Sequence, residues 1–398
     1  MWYLKGMTMK KVILFSGGVE TLEYFSKQIG EVLDSWGYEV FTFDLQDMLG
    51  SFMDLLMFCE KGEAVMITFN FIGISGESIF LRDKGLFFDE YGIKCINIVV
   101  DHPFYYHNQL RKLPKDYIQF CIDRTHIQYM KRYFPKVKTG GFLPLAGTEI
   151  PRKERRLKAA DRKMDIIFTG NYTPPETFNK EIERLGREYS EFYHGIIDDL
   201  TANTEQTMDE VFERHIKADI PEATDKDLKK CMENMIFLDL YVRFYMRGKA
   251  VKTLVDNGFK VHVFGSGFER ISYKKPENII LGGRVKSIVC LRKLSKARVS
   301  LNVMPWFKDG AHDRVFSAAL NGAVNLTDGS RYLHEVFSGT EDVCFYELGQ
   351  MDRLPELAER LLSDYDLLDF MAERAYDAAK IHTWAERTKV LEQYISSD

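Results

Sequence analysis

The chain has 398 residues, 45% of them hydrophobic, and a formal net charge of −5. That is enough chain for two domains with separate cores, and the mild acidity gives no electrostatic basis for a nucleic-acid or anionic-membrane partner. The six cysteines (Cys59, Cys95, Cys121, Cys231, Cys290, Cys344) lack the spacing of zinc ligands or a disulfide framework, as expected of reduced thiols in a cytoplasmic protein; no uncharged apolar window of about 18 residues predicts a membrane span, and Met1 to Met9 lacks the apolar core of a signal peptide.

The first predicted strand is Lys11 to Phe15, running into Ser16-Gly17-Gly18. A helix from about Glu20 to Trp36 stops at Gly37. Strand Tyr38 to Phe43, a helix around Asp47 to Lys61, and strands Ala64 to Phe69, Lys94 to Val100 and Tyr117 to Ile122 follow. A helix through His126 to Tyr133 and the segment Lys138 to Pro144 complete the set. Strands alternating with helices at this spacing predict a parallel sheet covered on both faces, and the near-continuous apolar runs mark its central strands.

Residues 145–163 change character and read as a linker, with Arg152-Lys153-Glu154-Arg155-Arg156 as a solvated basic run. The pattern then restarts with strand Met164 to Asn171. From 176 to 257 the chain is amphipathic and helical, split by Pro221; Phe237, Tyr241, Phe244 and Tyr245 have helix-face spacing and read as core. Phe259 to Phe264 with Gly265-Ser266-Gly267, Asn278 to Leu281 with Gly282-Gly283, Val299 to Val303, Ala323 to Leu326 and Val343 to Tyr346 are the later strands. Helices Leu354 to Leu362 and Leu367 to Ile395 close the chain. The fold class is α/β: two Rossmann-like doubly wound parallel-sheet domains facing across a cleft, over 9–150 and 164–380, with a helical insertion in the second and a terminal helix, 381–398, crossing back to the first.

Ligands in such sheets bind at the C-terminal strand ends. Four glycine turns fall there: Gly17-Gly18, Gly170-Asn171, Gly265/Gly267 and Gly282-Gly283. None has the GxGxxG spacing followed by an acidic residue, so a dinucleotide cofactor is not indicated. The most informative stretch is Lys308 to Asp328, a polar loop followed by a short helix and a strand. His312, Asp313 and Arg314 open that helix, whose free N–H groups and positive dipole end suit a phosphate.

Gly310 to Asp328 resembles the C-terminal motif of the CgeB/YkvP-like glycosyltransferases, a bacterial group of GT-B fold with a C-terminal domain similar to glycosyl transferases group 1. Arg314, Phe316, Ser317, Asn321-Gly322 and Thr327-Asp328 stand at its positions; Ser317 replaces the usual glutamate. The turns after Phe168 and Phe264 and the tail His382 to Arg387 extend the resemblance over roughly 164–395. Val100-Asp101-His102-Pro103 is similar to a segment in the N-terminal domain of related bacterial proteins. What the resemblance implies is a UDP-sugar donor, with its base near Gly170, Asn171, Gly265, Gly267, Arg284 and Val285. Its diphosphate and ribose would lie near His312, Asp313, Arg314, Val315 and Ser317, with Gly17 and Gly18 contributing. It implies no metal and no other cofactor, and an acceptor entering from the first domain.

Asp101 and His102 leave a buried strand, and Pro103 fixes an extended exit at His102. An inverting sugar transfer needs a base to take the acceptor hydroxyl proton, and Asp101 or His102 is the candidate. The function expected is transfer of a sugar from a nucleoside diphosphate to an acceptor hydroxyl by a hexosyltransferase. A sugar-nucleotide epimerase, or a non-catalytic protein that binds a nucleotide sugar, stays open as the alternative, the latter because of Ser317.

Overall fold

Each apolar strand series closes into its own six-stranded, all-parallel sheet. The structure, a computed structural model, describes residues 11–60, 64–83, 85–151 and 157–396. The leading Met1 to Met9 and the basic run Arg152 to Arg156 lie outside these residues. The chain divides into two units, one running to Leu143 and resuming at Trp384, the other spanning Pro144–Thr383. Among the described residues no helix is long and apolar enough to cross a membrane.

The first unit contains β1 (Lys11–Ser16), β2 (Glu39–Asp44), β3 (Ala64–Phe69), the two-residue β4 (Leu81–Arg82) and β5 (Gly85–Leu86), β6 (Lys94–Val99), β7 (Tyr117–Cys121) and β8 (Thr139–Phe142). Its main sheet has the order β2-β1-β3-β6-β7-β8. Ile13, Ile67 and Ile96 are wholly buried, as strands covered on both faces require. The helices are α1 (Glu20–Ser35), α2 (Met48–Phe58), α3 (Phe87–Tyr91) and α4 (Arg124–Tyr133). Asp47 and Asp123 start α2 and α4 by accepting from Gly50 N and Thr125 N. The β4–β5 pair and α3 escape a sequence reading because each is too short to show a period.

The second unit holds β9 (Met164–Thr169), β10 (Val261–Phe264), β11 (Ile279–Gly283), β12 (Ala297–Leu301), β13 (Val324–Asp328) and β14 (Val343–Tyr346), in the order β11-β10-β9-β12-β13-β14. Between β9 and β10 lie α5 (Asn179–Glu183), α6 (Arg187–Ala202), α7 (Met208–Asp219), α8 (Asp225–Met232) and the long α9 (Ile236–Asp256). Then come α10 (Ser287–Leu294), α11 (Asp313–Leu320), α12 (Arg331–Val336), α13 (Leu354–Leu362) and α14 (Tyr365–Ala379).

The single final helix expected over Leu367 to Ile395 is two helices. Gly147 N takes the carbonyl of His382 (2.9 Å) and Gly147 pairs with Thr383, which draws the chain out of the helix there. Trp384–Ser396 then packs within the first unit, with the Trp384 ring 4.6 Å from Phe25 and 6.0 Å from Phe69. Residues 145–151 belong to the second unit for a matching reason. Ile150 N donates to Asn321 Oδ1 (2.9 Å), and Asn321 Nδ2 donates to Thr148 O (2.8 Å). Trp384→Ala should cost the first unit about 3–5 kcal/mol, read as a lower urea midpoint for near-ultraviolet signals.

Candidate functional site

The order β11-β10-β9-β12-β13-β14 reverses between β9 and β12, where ligands of open parallel sheets collect. Three glycine turns meet beside that point. Gly170 N donates to Phe264 O (2.9 Å), Gly265 N to Gly283 O (2.9 Å), and Tyr172 N to Ser266 O (2.8 Å). A Cβ on Gly265 would sit 1.9 Å from Gly170 O, so the approach of the two backbones admits only glycine there. Asn171 Oδ1 accepts from Ser266 N (3.1 Å), and Arg284 Nε donates to Ser266 Oγ (3.0 Å).

Two guanidiniums close over this backbone. Arg314, in the first turn of α11, donates through Nη1 to Thr169 O and lies 5.9 Å from the Phe168 ring centre. Arg247, from α9, donates to Asn171 O (3.2 Å). Arg314 Nε and Nη2 and Arg247 Nε are shut off from solvent without a hydrogen-bond partner. Burial pushes both guanidiniums below their ordinary value, and for Arg247 the neighbouring Arg314 and Arg243 add to the effect. Guanidinium nevertheless stays charged. Donors shut off from solvent without an acceptor are costly; Asp313 and Asp328 near Arg314, and Asp239 and Asp328 near Arg247, offset the charge only in part, and an anion bonded to those donors relieves that cost. His312 caps α11, and its Nδ1 lies 2.5 Å from Asp313 Oδ1. Burial and Arg314 push the His312 pKa down against the opposing pull of Asp313, so a further positive charge at the helix start is disfavoured.

The structure thus brings together Gly170, Asn171, Gly265, Gly267, Arg284 and Arg314, with half-buried Val285 following Arg284. Val315 is wholly buried in the core, with its carbonyl accepting from Asn325 Nδ2 (2.9 Å). Ser317, 5% exposed, spends its hydroxyl on Thr148 N (3.3 Å), and so serves the strap formed by 147–150. Gly17 and Gly18 lie in the first unit, where Gly17 N donates to Glu23 Oε2 (3.1 Å). The sequence reading missed Arg247. Its signal is the series Asp239, Arg243, Arg247 at i, i+4, i+8 on α9, in which Asp239 holds Arg243 through two bonds of 3.0 and 2.6 Å. The aromatic series expected in the core instead flanks it. Phe237, Tyr241 and Phe244 are half-buried and Tyr245 is exposed, because Leu238, Val242 and Met246 form the buried face.

Asp101 and His102 also lie in the first unit. Asn70 and Phe71, at the end of β3, hold left-handed backbone (φ 49° and 64°), an unfavourable state for such residues. Asn97 Oδ1 fixes the turn by accepting from Phe71 N (3.1 Å). Asn70 then reaches β6's exit, accepting from Val100 N (2.8 Å) and donating to Asp101 Oδ2 (2.9 Å). Tyr106 OH donates to the same oxygen (3.0 Å). Asp101 is half-exposed, with its Oδ1 unbonded within the protein. His102 is 7% exposed; its Nδ1 accepts from Phe104 N (3.2 Å), and its ring packs 4.7 Å from both His126 and Tyr129.

Residues 247–393 match the model of a family described as Glycosyl transferase-like. No curated protein sequence matches the chain. Among solved structures, sucrose-phosphate synthase from Thermosynechococcus elongatus is similar over 97% of this chain and 98% of its own, at 11% identity and TM-score 0.55. The β-glucosyltransferase of T4 phage is similar over 98% and 100%, at 13% identity and TM-score 0.53. An α-glucosyltransferase solved with UDP-glucose and DNA is similar over 98% and 100%, at 11% identity and TM-score 0.55. The fold is GT-B, and the family match supports a glycosyltransferase group 1-like chain.

The idle donors make a stability prediction. Arg314→Met should stabilise the second unit by on the order of 1–2 kcal/mol, read as a higher urea midpoint, because an apolar side chain replaces a desolvated cation. A loss of stability would show that the guanidinium is satisfied in the ligand-free protein.

Proposed function

We propose that the chain is a metal-independent glycosyltransferase that moves a sugar from a UDP-sugar to an acceptor hydroxyl. The observation that carries this reading is the pair Arg247 and Arg314, whose desolvated donors lack protein acceptors beside the switch point of the second sheet. One of the similar folds, the α-glucosyltransferase, was solved with UDP-glucose, which favours a uridine diphosphate. The narrower CgeB/YkvP-like resemblance rests on the residues from Arg314 to Asp328.

In this reading the diphosphate lies against Arg314 Nε and Nη2 and Arg247 Nε, at the start of α11. When the bond from the anomeric carbon to the diphosphate oxygen breaks, its electron pair leaves with UDP. The guanidiniums stabilise that developing charge, with forked geometry suited to phosphate. They supply the positive charge that a divalent cation would otherwise bring. The base lies near Arg284 and Val285. Ser317 is committed to Thr148, so Asp313 reads the ribose hydroxyls. In the first unit Asp101 takes the acceptor proton through Oδ1, with Oδ2 anchored by Asn70 and Tyr106. His102 is the buried cap that shapes the Asp101 exit. The acceptor is any molecule with a suitable hydroxyl. Excluding nucleic acid on net charge alone has no support, because one of the similar folds, the α-glucosyltransferase, was solved with DNA.

Isothermal titration should show UDP binding to the wild-type chain, weakened on the order of 10²-fold in Arg314→Ala and Arg247→Ala. UDP release from a UDP-sugar should continue in EDTA. Asp101→Asn should lower that release by about 10²–10⁴-fold while UDP affinity stays within about twofold. Absence of UDP binding by the wild type would overturn the donor assignment, and loss of turnover in EDTA would overturn the metal independence.

A further inference from the structure

The first sheet holds a run of polar side chains deep in its core. On β6 and β7, Asn97 faces Gln119 across the strands, and Tyr117 and Cys121 stand two positions to either side of Gln119 on the same face. Asn97 and Gln119 are wholly buried, and Tyr117 is 5% exposed. Polar groups at that depth are costly unless each is bonded. Here the bonds run in one direction. Gln119 Nε2 donates to Cys121 Sγ (3.8 Å), which leaves Gln119 Oε1 to accept from Tyr117 OH (2.9 Å). Tyr117 OH in turn accepts from Asn97 Nδ2 (2.9 Å), and that sets Asn97 Oδ1 as the acceptor for Phe71 N (3.1 Å).

The run ends on the two left-handed residues, Asn70 and Phe71. Phe71 is gripped on both sides, its N–H by Asn97 and its carbonyl by Ser75 Oγ (2.7 Å). Its ring is near-parallel to that of Tyr117, at 17° with centres 6.2 Å apart, and lies 5.0 Å from that of Tyr106. Asn70 and Tyr106 are the two donors to Asp101 Oδ2. Both therefore answer to Tyr117: Asn70 through Asn97 and the Phe71 backbone, Tyr106 through the Phe71 ring. Apolar side chains of the same shape at 97, 117 and 119 would fill the space at no cost in stability, so stability alone does not explain the polar ones. A fully bonded network adds what an apolar core lacks, a single fixed orientation.

We propose that Tyr117, with Asn97 and Gln119, is a positioning relay for Asp101: it holds Asp101 Oδ2 through Asn70 and Tyr106, and so keeps Oδ1 as the oxygen open to the acceptor hydroxyl. The proposal rests on the reading of Asp101 as the base. Tyr117 itself never meets the acceptor. Burial pushes its phenol well above the ordinary pKa, so it keeps its proton for Gln119 and acts by geometry, not by proton transfer.

The test is UDP release with water as acceptor, from whichever of UDP-glucose, UDP-galactose and UDP-N-acetylglucosamine the wild type turns over fastest, followed with labelled donor. It compares the wild type, Tyr117→Phe, Asp101→Asn and the double variant. Tyr117→Phe keeps the ring beside Phe71 and removes only the oxygen between the two amides. It should lower kcat by about tenfold, the worth of one hydrogen bond to a charged group, with KM for the donor within about twofold. In the Asp101→Asn background the same change should cost nothing further, because a residue that acts only through Asp101 has nothing left to position. A general structural defect would instead multiply the two losses, and that result overturns the relay, as does full activity in Tyr117→Phe. Unchanged release in Asp101→Asn overturns the base reading and the relay with it, as does a wild type that turns over none of the three donors. If Tyr117→Phe fails to fold by circular dichroism, Gln119→Met, which withdraws the acceptor of that phenol, decides by the same criteria.

Discussion

Two backbone carbonyls, those of Thr169 and Asn171, each hold a guanidinium, and the residue between them is a glycine. Much of the second unit can be understood as the set of conditions that makes this arrangement possible. A Cβ on Gly170 would come within 2.9 Å of Arg314 Nη1. Gly265 lets the neighbouring strand end press against Gly170 O, and Gly248 lets α9 approach the ring of Tyr172, where a Cβ would sit 2.6 Å away. Beside these close approaches, Arg314 Nε and Nη2 and Arg247 Nε are shut off from solvent and have no acceptor. A backbone that gives up side chains in order to bring two like charges together is poorly explained by stability. It is well explained by an anionic ligand.

Parallel strands deliver all their C-terminal ends to one edge, and helix N-termini arrive at the same edge. In this chain the edge carries two distinct regions. The β9–β10–β11 side holds guanidiniums and glycine turns, suited to phosphates. The β13–β14 side holds a roomier cavity of mixed charge, and the loop from Lys308 to His312 joins them. The strap from Gly147 to Ile150 locks α11 from the opposite side through Ser317 and Asn321. Positioning Arg314 therefore depends on residues that never meet a ligand.

The strands were legible because their apolar runs are long and their turns carry glycine. β3 and β14 fall at the residues expected, and Pro221 does fall between α7 and α8. Arg314 was legible from its place at a helix start. Arg247 was not, because on α9 it stands among aromatic residues whose spacing imitates a buried face. The true inward face, Leu238, Val242 and Met246, has the same period one position along. Ser317 shows the opposite limit. A motif position indicated ribose, but its hydroxyl is committed to a backbone amide 169 residues away in sequence, which local pattern cannot reveal. The role of Asn70 was equally hidden, since nothing in Phe69-Asn70-Phe71 announces two left-handed residues.

The central claim is that the idle donors of Arg247 and Arg314 are the seat of a nucleoside diphosphate. A crystal structure of the chain grown with UDP tests it most directly. Phosphate oxygens within hydrogen-bond distance of Arg314 Nε or Nη2 and of Arg247 Nε, with the uracil beside Arg284, are the predicted result. A diphosphate bound elsewhere on the chain, with both guanidiniums still unpartnered, would contradict it.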